Sequence, residues 1–124
     1  MENTQKKILI VDDTKSYLWV ISQALEGAGF IVVTASNGEE GLDAIGTEKP
    51  DLILLDITMP KMDGMAMSKK MKELNMDVPV IFLTNIGDLK SISEASENAV
   101  GYIVKSDTST EDIVIRVKEK LNLK

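Results

Sequence analysis

The sequence predicts a doubly wound α/β domain, in which helices cover both faces of a parallel β-sheet. Short runs of β-branched and aliphatic residues alternate with longer amphipathic stretches along the whole chain of 124 residues. Three of the runs are apolar without interruption: Ile8-Leu9-Ile10-Val11, Leu52-Ile53-Leu54-Leu55 and Val80-Ile81-Phe82-Leu83. A strand with no polar alternation is buried on both faces, as in a parallel sheet between helices. Strict alternation of strands and helices then requires right-handed crossovers.

Five strands are predicted, at Lys7–Val11, Ile31–Ala35, Asp51–Leu55, Val80–Thr84 and Gly101–Val104. The first helix follows the first strand and ends at Gly29, a residue that favours helix termination. Its apolar residues recur at helical spacing and predict the stripe that faces the core. That stripe consists of Tyr17, Val20, Ile21, Ala24, Leu25 and Ala28.

Four more helices are predicted. Asn37 is a plausible N-cap for a helix from Gly38 to Ile45. A methionine-rich helix covers Asp63–Leu74, where methionine serves as core filler, and a weakly apolar helix covers Asp88–Ala95. The last helix starts in the Thr108–Thr110 cluster, with Glu111 placed for a capping box. Its predicted buried residues are Ile113, Val114, Val117 and Leu121.

Composition limits the classes of function. The apolar content of 44% suffices for one core, and we expect a single stand-alone domain over residues 1–124 without an output domain. No run approaches a membrane span, so we expect no membrane partner. The absence of cysteine suits a reducing, cytoplasmic location, and the absence of histidine disfavours triad hydrolases and zinc enzymes. The net charge of −6 disfavours direct nucleic-acid binding.

Polar side chains follow the predicted strands where the strands end. Asp12 and Asp13 follow the first strand, Asp56 follows the third, Thr84 closes the fourth and Lys105 follows the fifth. Ligands of open α/β sheets bind beyond the carboxyl ends of the strands. We therefore expect these five side chains to gather at one edge of the sheet.

The chemistry of that group points to phosphoryl transfer. Three neighbouring carboxylates repel one another unless a cation lies between them. A site rich in carboxylates, without histidine or cysteine, suits Mg²⁺ or Mn²⁺. Aspartate can itself be the nucleophile and form an aspartyl-phosphate. A cation, the Lys105 amine and the Thr84 hydroxyl around Asp56 would stabilise the charge that develops on a transferred phosphoryl group.

Longer motifs carry a resemblance to a family. They are Ile8-Leu9-Ile10-Val11-Asp12-Asp13, the run Leu54-Leu55-Asp56-Ile57-Thr58-Met59-Pro60-Lys61-Met62-Asp63-Gly64, Thr84 after Val80-Ile81-Phe82-Leu83, and Gly101-Tyr102-Ile103-Val104-Lys105. In combination they resemble the receiver domains of bacterial two-component response regulators, over nearly the whole chain. The resemblance implies a flavodoxin-like sheet with strand order 2-1-3-4-5, as in stand-alone chemotaxis receivers.

The resemblance also implies residue roles. Asp56 would be the phosphoacceptor. Asp12, Asp13 and Asp56 would bind Mg²⁺ or Mn²⁺, with the backbone carbonyl of Thr58 as a further ligand.

Residues of the fourth and fifth strands would complete the machinery. By resemblance, Thr84 and Lys105 would contact the phosphoryl group, and Tyr102 would be a rotamer switch coupled to Thr84.

Two positions depart from the family pattern. Asn85 stands where receivers usually have a small residue, and Ser106 stands where they usually have a cis proline. Because a cis bond before a non-proline residue costs about 2.5–4 kcal/mol, the bond before Ser106 is expected to be trans or strained.

A partner surface is predicted on the first helix. Leu18 and Trp19 fall outside the predicted core stripe, and two adjacent exposed apolar residues beside an acidic edge indicate a docking surface. In receivers this helix meets histidine kinases or phosphotransfer proteins. The predicted contacts are Lys15, Leu18, Trp19 and Ser22.

The function expected is that of a switch, in which Asp56 takes a phosphoryl group from a histidine kinase or phosphotransfer protein. Phosphorylation would change the face built by the fourth helix, fifth strand and fifth helix, and so control a downstream protein target. The chain would act as a monomer or weak dimer and catalyse only its own phosphorylation and dephosphorylation.

Three alternatives remain open. A phosphatase of the haloacid dehalogenase type could use Asp56, although Thr58 stands where that class has a second acid. A nucleotide- or flavin-binding module would need a glycine-rich loop after the first strand, where the sequence has none. A degenerate receiver could serve only as an interaction scaffold.

Overall fold

A computed structural model of the chain describes residues 6–57, 64–84 and 99–123. We number its strands and helices in chain order. They are β1 (Lys7–Val11), α1 (Lys15–Gly27), β2 (Ile31–Ala35), α2 (Gly38–Glu48), β3 (Leu52–Asp56), α3 (Gly64–Glu73), β4 (Val80–Thr84), β5 (Ala99–Val104), a 3₁₀ turn (Lys105–Asp107) and α4 (Thr110–Lys120). The predicted helix at Asp88–Ala95 lies outside the described residues.

The five strands form one parallel sheet in the order β2-β1-β3-β4-β5, so the predicted fold class and strand order are confirmed. The third strand begins one residue later than predicted and includes Asp56 as its last residue. Asp51 instead lies just before β3, at the amino-terminal ends of the strands, where its Oδ2 accepts a hydrogen bond from the backbone N–H of Lys7 at 2.8 Å.

Alternate residues of the strands face two separate cores. One face packs against α1 and α4, and carries Ile8, Ile10, Leu52, Leu54, Ile81, Leu83 and Ile103. The other packs against α2 and α3, and carries Leu9, Val11, Ile53, Leu55, Val80 and Phe82. Met67 and Met71 of α3 are fully buried in the second core, which confirms methionine as core filler there.

The buried face of α1 differs from the prediction. Its fully packed residues are Leu18, Ile21 and Leu25, whereas Val20 is 42% exposed. The spacing of three and four residues centres the face on Leu18, because a stripe starting at residue 18 continues through 21 and 25. The assignment of Val20 to the core and of Leu18 to the surface was therefore wrong.

Helix ends follow local chemistry. Asn37 is the N-cap of α2 and its Oδ1 accepts a hydrogen bond from the N–H of Glu40 at 2.9 Å, as predicted. Gly29, at φ 98°, follows the C-cap Ala28 of α1. Ser109 caps α4 by accepting from the N–H of Asp112 at 3.1 Å. The capping box at Glu111 is therefore wrong, because the third helical residue is Asp112.

None of the helices in the described part of the chain combines the length and apolarity needed to cross a membrane.

Candidate functional site

Two of the predicted site residues continue the sheet face that packs against α1. Asp12 follows Ile8 and Ile10 at a spacing of two residues, and Asp56 follows Leu52 and Leu54 in the same way. The strand ladder persists at this edge, since the Asp12 N–H donates to the Ala35 carbonyl at 3.1 Å. Residues two apart in a strand point to the same side. The period of the strands therefore directs both carboxylates toward the N-terminal end of α1.

The three predicted acids form one cluster. Carboxylate oxygens of Asp12, Asp13 and Asp56 lie within 4.8 Å of one another. Asp12 is completely buried, Asp56 is 4% exposed and Asp13 is exposed. Asp12 Oδ1 also accepts a hydrogen bond from the Thr14 N–H at 2.9 Å. Thr14, rather than Asp12, is the N-cap of α1, so Asp12 is not a simple helix cap.

Lys105 connects two of the acids. Its Nζ lies 2.6 Å from Asp12 Oδ2 and 3.4 Å from Asp56 Oδ2, and its side chain is 16% exposed. The backbone departs from the family pattern at the next residue. The described residues contain no cis peptide bond, and Lys105, Ser106 and Asp107 form a 3₁₀ turn. Lys105 thus reaches the acidic cluster from a trans backbone.

One ammonium cannot neutralise three carboxylates, so negative charge remains in excess at this edge. Buried carboxylates are costly without compensating charge. The oxygen-only cluster fits Mg²⁺, which binds through one or two carboxylates and keeps waters or phosphate oxygens as its other ligands. Thr58, whose carbonyl was predicted as a further ligand, lies outside the described residues.

Thr84 is fully buried at the end of β4, and Tyr102 is 46% exposed on β5. In the register of the two strands, Phe82 is opposite Tyr102 and Thr84 is opposite Val104. Tyr102 and Thr84 therefore lie on the same face of the sheet, which is the geometry that a coupled pair needs. The coupling itself stays a prediction. Asn85 lies outside the described residues.

Tyr17 belongs to the site, although its spacing in the sequence predicted only a place in the core stripe of α1. The centre of its ring lies 4.5 Å from Lys105 Nζ. Burial, reinforced by the negative charges of Asp12 and Asp56, raises the pKa of the Tyr17 hydroxyl to about 12. That hydroxyl is buried and has no hydrogen-bond partner among the described residues. The available sequence signal was a phenol in an otherwise apolar stripe, one turn after the acidic pair.

The predicted partner residues of α1 are only partly surface residues. Lys15 and Trp19 are exposed, and Trp19 is 64% exposed. Leu18 is buried, and the Ser22 hydroxyl is buried without a hydrogen-bond partner in the described ranges. These two were predicted as contacts because the helix phase was misassigned. The exposed side of α1 instead carries Ser16, Trp19, Val20 and Gln23.

Comparison with known proteins agrees with the geometry. The family model for the response regulator receiver domain matches residues 8–118. A probable transcriptional regulator, ycf27 of Guillardia theta, is 42% identical over 103 residues, which cover 82% of this chain and 40% of the relative. The DNA-binding transcriptional regulator NtrC of Klebsiella pneumoniae is 43% identical over 97 residues, or 77% of this chain and 21% of the relative. The chain thus spans less than half the length of these curated relatives.

Solved structures show the same likeness. A two-component response regulator from Clostridium difficile has a TM-score of 0.86 and 31% identity, covering 95% of this chain and 97% of that one. The response regulator TrrA from Thermotoga maritima, solved in complex with Mg²⁺ and BeF, has a TM-score of 0.81 and 31% identity over 93% of this chain and 98% of that one. With a family match over most of its length, a five-stranded parallel sheet and an acidic cluster at the strand ends, the chain belongs to the response regulator receiver domain family of two-component systems.

Proposed function

We propose that this chain is a phosphoacceptor switch that takes a phosphoryl group onto Asp56 from a histidine kinase or phosphotransfer protein. One observation carries the proposal. The Lys105 ammonium lies between Asp12 and Asp56, 2.6 Å and 3.4 Å from their oxygens, beside a carboxylate cluster that fits a dication.

The reaction follows from what these residues can do. A carboxylate oxygen of Asp56 attacks the phosphorus atom of a phosphohistidine. The phosphorus–nitrogen bond breaks, and the departing imidazole keeps the bonding electrons. Lys105 is placed to neutralise charge on the phosphoryl oxygens, and the Thr84 hydroxyl can donate to one of them. Asp12, Asp13 and Asp56 would hold Mg²⁺, which supplies further positive charge to the same oxygens.

The switch would act through β5. A phosphoryl group adds charge beside Thr84, which shares a sheet face with the exposed Tyr102. Arg116 of α4 donates from Nη1 to the Tyr102 carbonyl at 3.1 Å, which ties β5 to α4. We propose that this face, together with the predicted helix at Asp88–Ala95, contacts a downstream protein target.

The phosphodonor would dock on the exposed side of α1. Trp19 is the most exposed large apolar residue there, and Ser16, Val20 and Gln23 lie beside it at helical spacing. Adjacent exposed aromatic and aliphatic side chains are typical of the centre of a protein interface. This stripe replaces the predicted set that included Leu18 and Ser22. A cytoplasmic location, a monomeric or weakly dimeric state, and the absence of direct nucleic-acid contact belong to the same proposal.

Intact mass measurement tests the phosphorylation. The chain is incubated with phosphoramidate and Mg²⁺, and we expect one phosphate adduct that requires the metal. The adduct should disappear in Asp56→Asn and persist in the control Asp43→Asn, since Asp43 is exposed on α2. An adduct that survives Asp56→Asn contradicts the assignment of the phosphoacceptor. Failure of the unaltered chain to form any adduct would instead favour the interaction scaffold.

A further inference from the structure

The backbone alone does not fix the ammonium of Lys105. Lys105 begins the 3₁₀ turn, and the next two residues, Ser106 and Asp107, are exposed. The turn is tied back to β5 by the Thr108 hydroxyl, which donates to the Val104 carbonyl at 2.9 Å. This bond places the Cα atom of Lys105. A lysine side chain still carries a strongly hydrated charge at the end of four flexible carbons.

The carboxylates are unreliable anchors for that charge. Among the described residues, Asp12 and Asp56 form ion pairs with Lys105, and both also belong to the cluster that fits a dication. A dication on this cluster would weaken the pull of the carboxylates on the ammonium, because it neutralises the same charges. Lys105 then needs a partner whose attraction for the ammonium does not depend on these carboxylates.

The ring of Tyr17 meets this requirement. It lies 4.5 Å from Lys105 Nζ, well within the distance of about 6 Å at which a cation is attracted to an aromatic face. The Tyr17 ring is partly buried and packs against the core between the sheet, α1 and α4. A ring held by the core is a fixed platform, whereas a solvated side chain would lose entropy on making the same contact.

We propose that Tyr17 is a positioning residue, whose ring holds the Lys105 ammonium beside Asp56 and thereby accelerates phosphoryl transfer. The proposal rests on the proposed function, because it concerns the same reaction. The face of the ring, and not the hydroxyl, would hold the ammonium, since the hydroxyl has no hydrogen-bond partner in the part of the chain that is described. A phenyl ring should therefore serve as well as a phenol.

Rates of phosphorylation by phosphoramidate at saturating Mg²⁺ test this division. Tyr17→Leu should slow the reaction about three- to tenfold, the effect expected for losing a partly desolvated cation–π contact. Tyr17→Phe should stay within about twofold of the unaltered chain. In a Lys105→Met background, Tyr17→Leu should cause no further slowing, since a ring that acts through Lys105 has nothing left to position.

A matched control separates positioning from loss of packing. Phe30 is buried in the core against which Tyr17 packs, but it immediately precedes β2, at the end of the sheet opposite to the acids. Phe30→Leu also removes a ring from that core and should leave the rate unchanged in the folded protein. Equal slowing in Phe30→Leu and Tyr17→Leu would overturn the proposal, as would an additive effect of Tyr17→Leu in the Lys105→Met background.

Nuclear magnetic resonance tests the contact without any phosphorylation. The methylene protons next to Lys105 Nζ should be shifted upfield by the Tyr17 ring in the unaltered chain and in Tyr17→Phe, with Mg²⁺ absent and present. They should return to ordinary lysine positions in Tyr17→Leu. Ordinary positions in the unaltered chain would refute the positioning role even if Asp56 is phosphorylated. A shifted signal in a chain that forms no phosphate adduct would refute the proposed function while leaving the contact intact.

Discussion

A methyl group added at Gly64 tests whether the start of α3 sets the position of Asp56. A Cβ atom there would lie 2.3 Å from the backbone oxygen of Asp56 and 2.8 Å from the Cα atom of Ile57. The Gly64 N–H also donates to the Ile57 carbonyl at 2.8 Å, so the two segments are already in contact. Because the obstructing atoms belong to the backbone, they cannot move aside by changing a rotamer. Gly64→Ala must therefore displace either α3 or the end of β3.

The expected cost follows from the geometry. Overpacking costs about 1–3 kcal/mol, and rigid backbone neighbours place this site near the upper limit. We expect Gly64→Ala to lower the free energy of unfolding by about 2–3 kcal/mol. Gly46→Ala is the matched control, because Gly46 lies within α2 and a Cβ atom there has no neighbour within 4 Å. It should raise stability by about 0.5–1 kcal/mol, the ordinary gain from replacing glycine in a helix.

Urea unfolding followed by tryptophan fluorescence measures both values, and phosphorylation by phosphoramidate measures the site. Gly64→Ala should slow phosphorylation as well as destabilise the fold, whereas Gly46→Ala should leave the rate unchanged. Equal stability of the two variants would show that the space beside the Asp56 backbone is not restricted, and would refute the reasoning.

Three further outcomes are expected. Leu18→Ala should lower the free energy of unfolding in urea by about 2–4 kcal/mol because Leu18 is buried, whereas Trp19→Ala should lower it by less than about 0.5 kcal/mol because Trp19 is exposed. Unfolding of this pair is followed by circular dichroism, since Trp19→Ala removes the fluorophore. Similar costs for the two variants would contradict the observed phase of α1. Ser109→Ala should cost about 1 kcal/mol in the same assay by removing the cap of α4, and an unchanged midpoint would show that the cap bond is not formed in solution. The folded-state pKa of Tyr17 is raised from 10.0 to about 12, so its contribution to stability is complete below pH 10 and is lost as the pH rises toward 12. In unfolding measured across that range, Tyr17→Phe should avoid about 1–2 kcal/mol of this loss, a value reduced for the partial exposure of the ring; parallel pH profiles of the two proteins would contradict the burial of the hydroxyl.

Much of the site was predictable because strand ends and strand period are local properties. Three uninterrupted apolar runs, each followed by an acid or a hydroxyl, predicted a parallel sheet with Asp12, Asp56 and Thr84 at one edge. The side of the sheet to which these acids point was predictable too, since residues two apart in a strand share a face, and this places Asp12 with Ile10 and Asp56 with Leu54. The strand order, in contrast, came from resemblance, because many orders satisfy the same local pattern.

The phase of a helix was less predictable than its existence. Tyr17, Leu18, Val20 and Ile21 are all apolar enough to lie in a core stripe, so composition did not decide between two phases about a residue apart. The sheet decided it, because Leu18 and Ile21 are buried in the same core as Ile10 and Leu54, whereas Val20 is left outside. A similar shift of one residue makes Asp112, instead of the predicted Glu111, the third residue of α4, because the cap within the Thr108–Thr110 cluster is Ser109.

The sequence by itself determined the fold class, the acidic edge and the chemistry that this edge can support, because these depend on residue types and on spacing within single strands. Tertiary structure decided which side chains touch across elements. The contact of the Tyr17 ring with Lys105 joins residues 88 positions apart in the chain, from α1 and from the turn after β5. Such a contact depends on how the two elements pack on the sheet, and no local pattern encodes that distance.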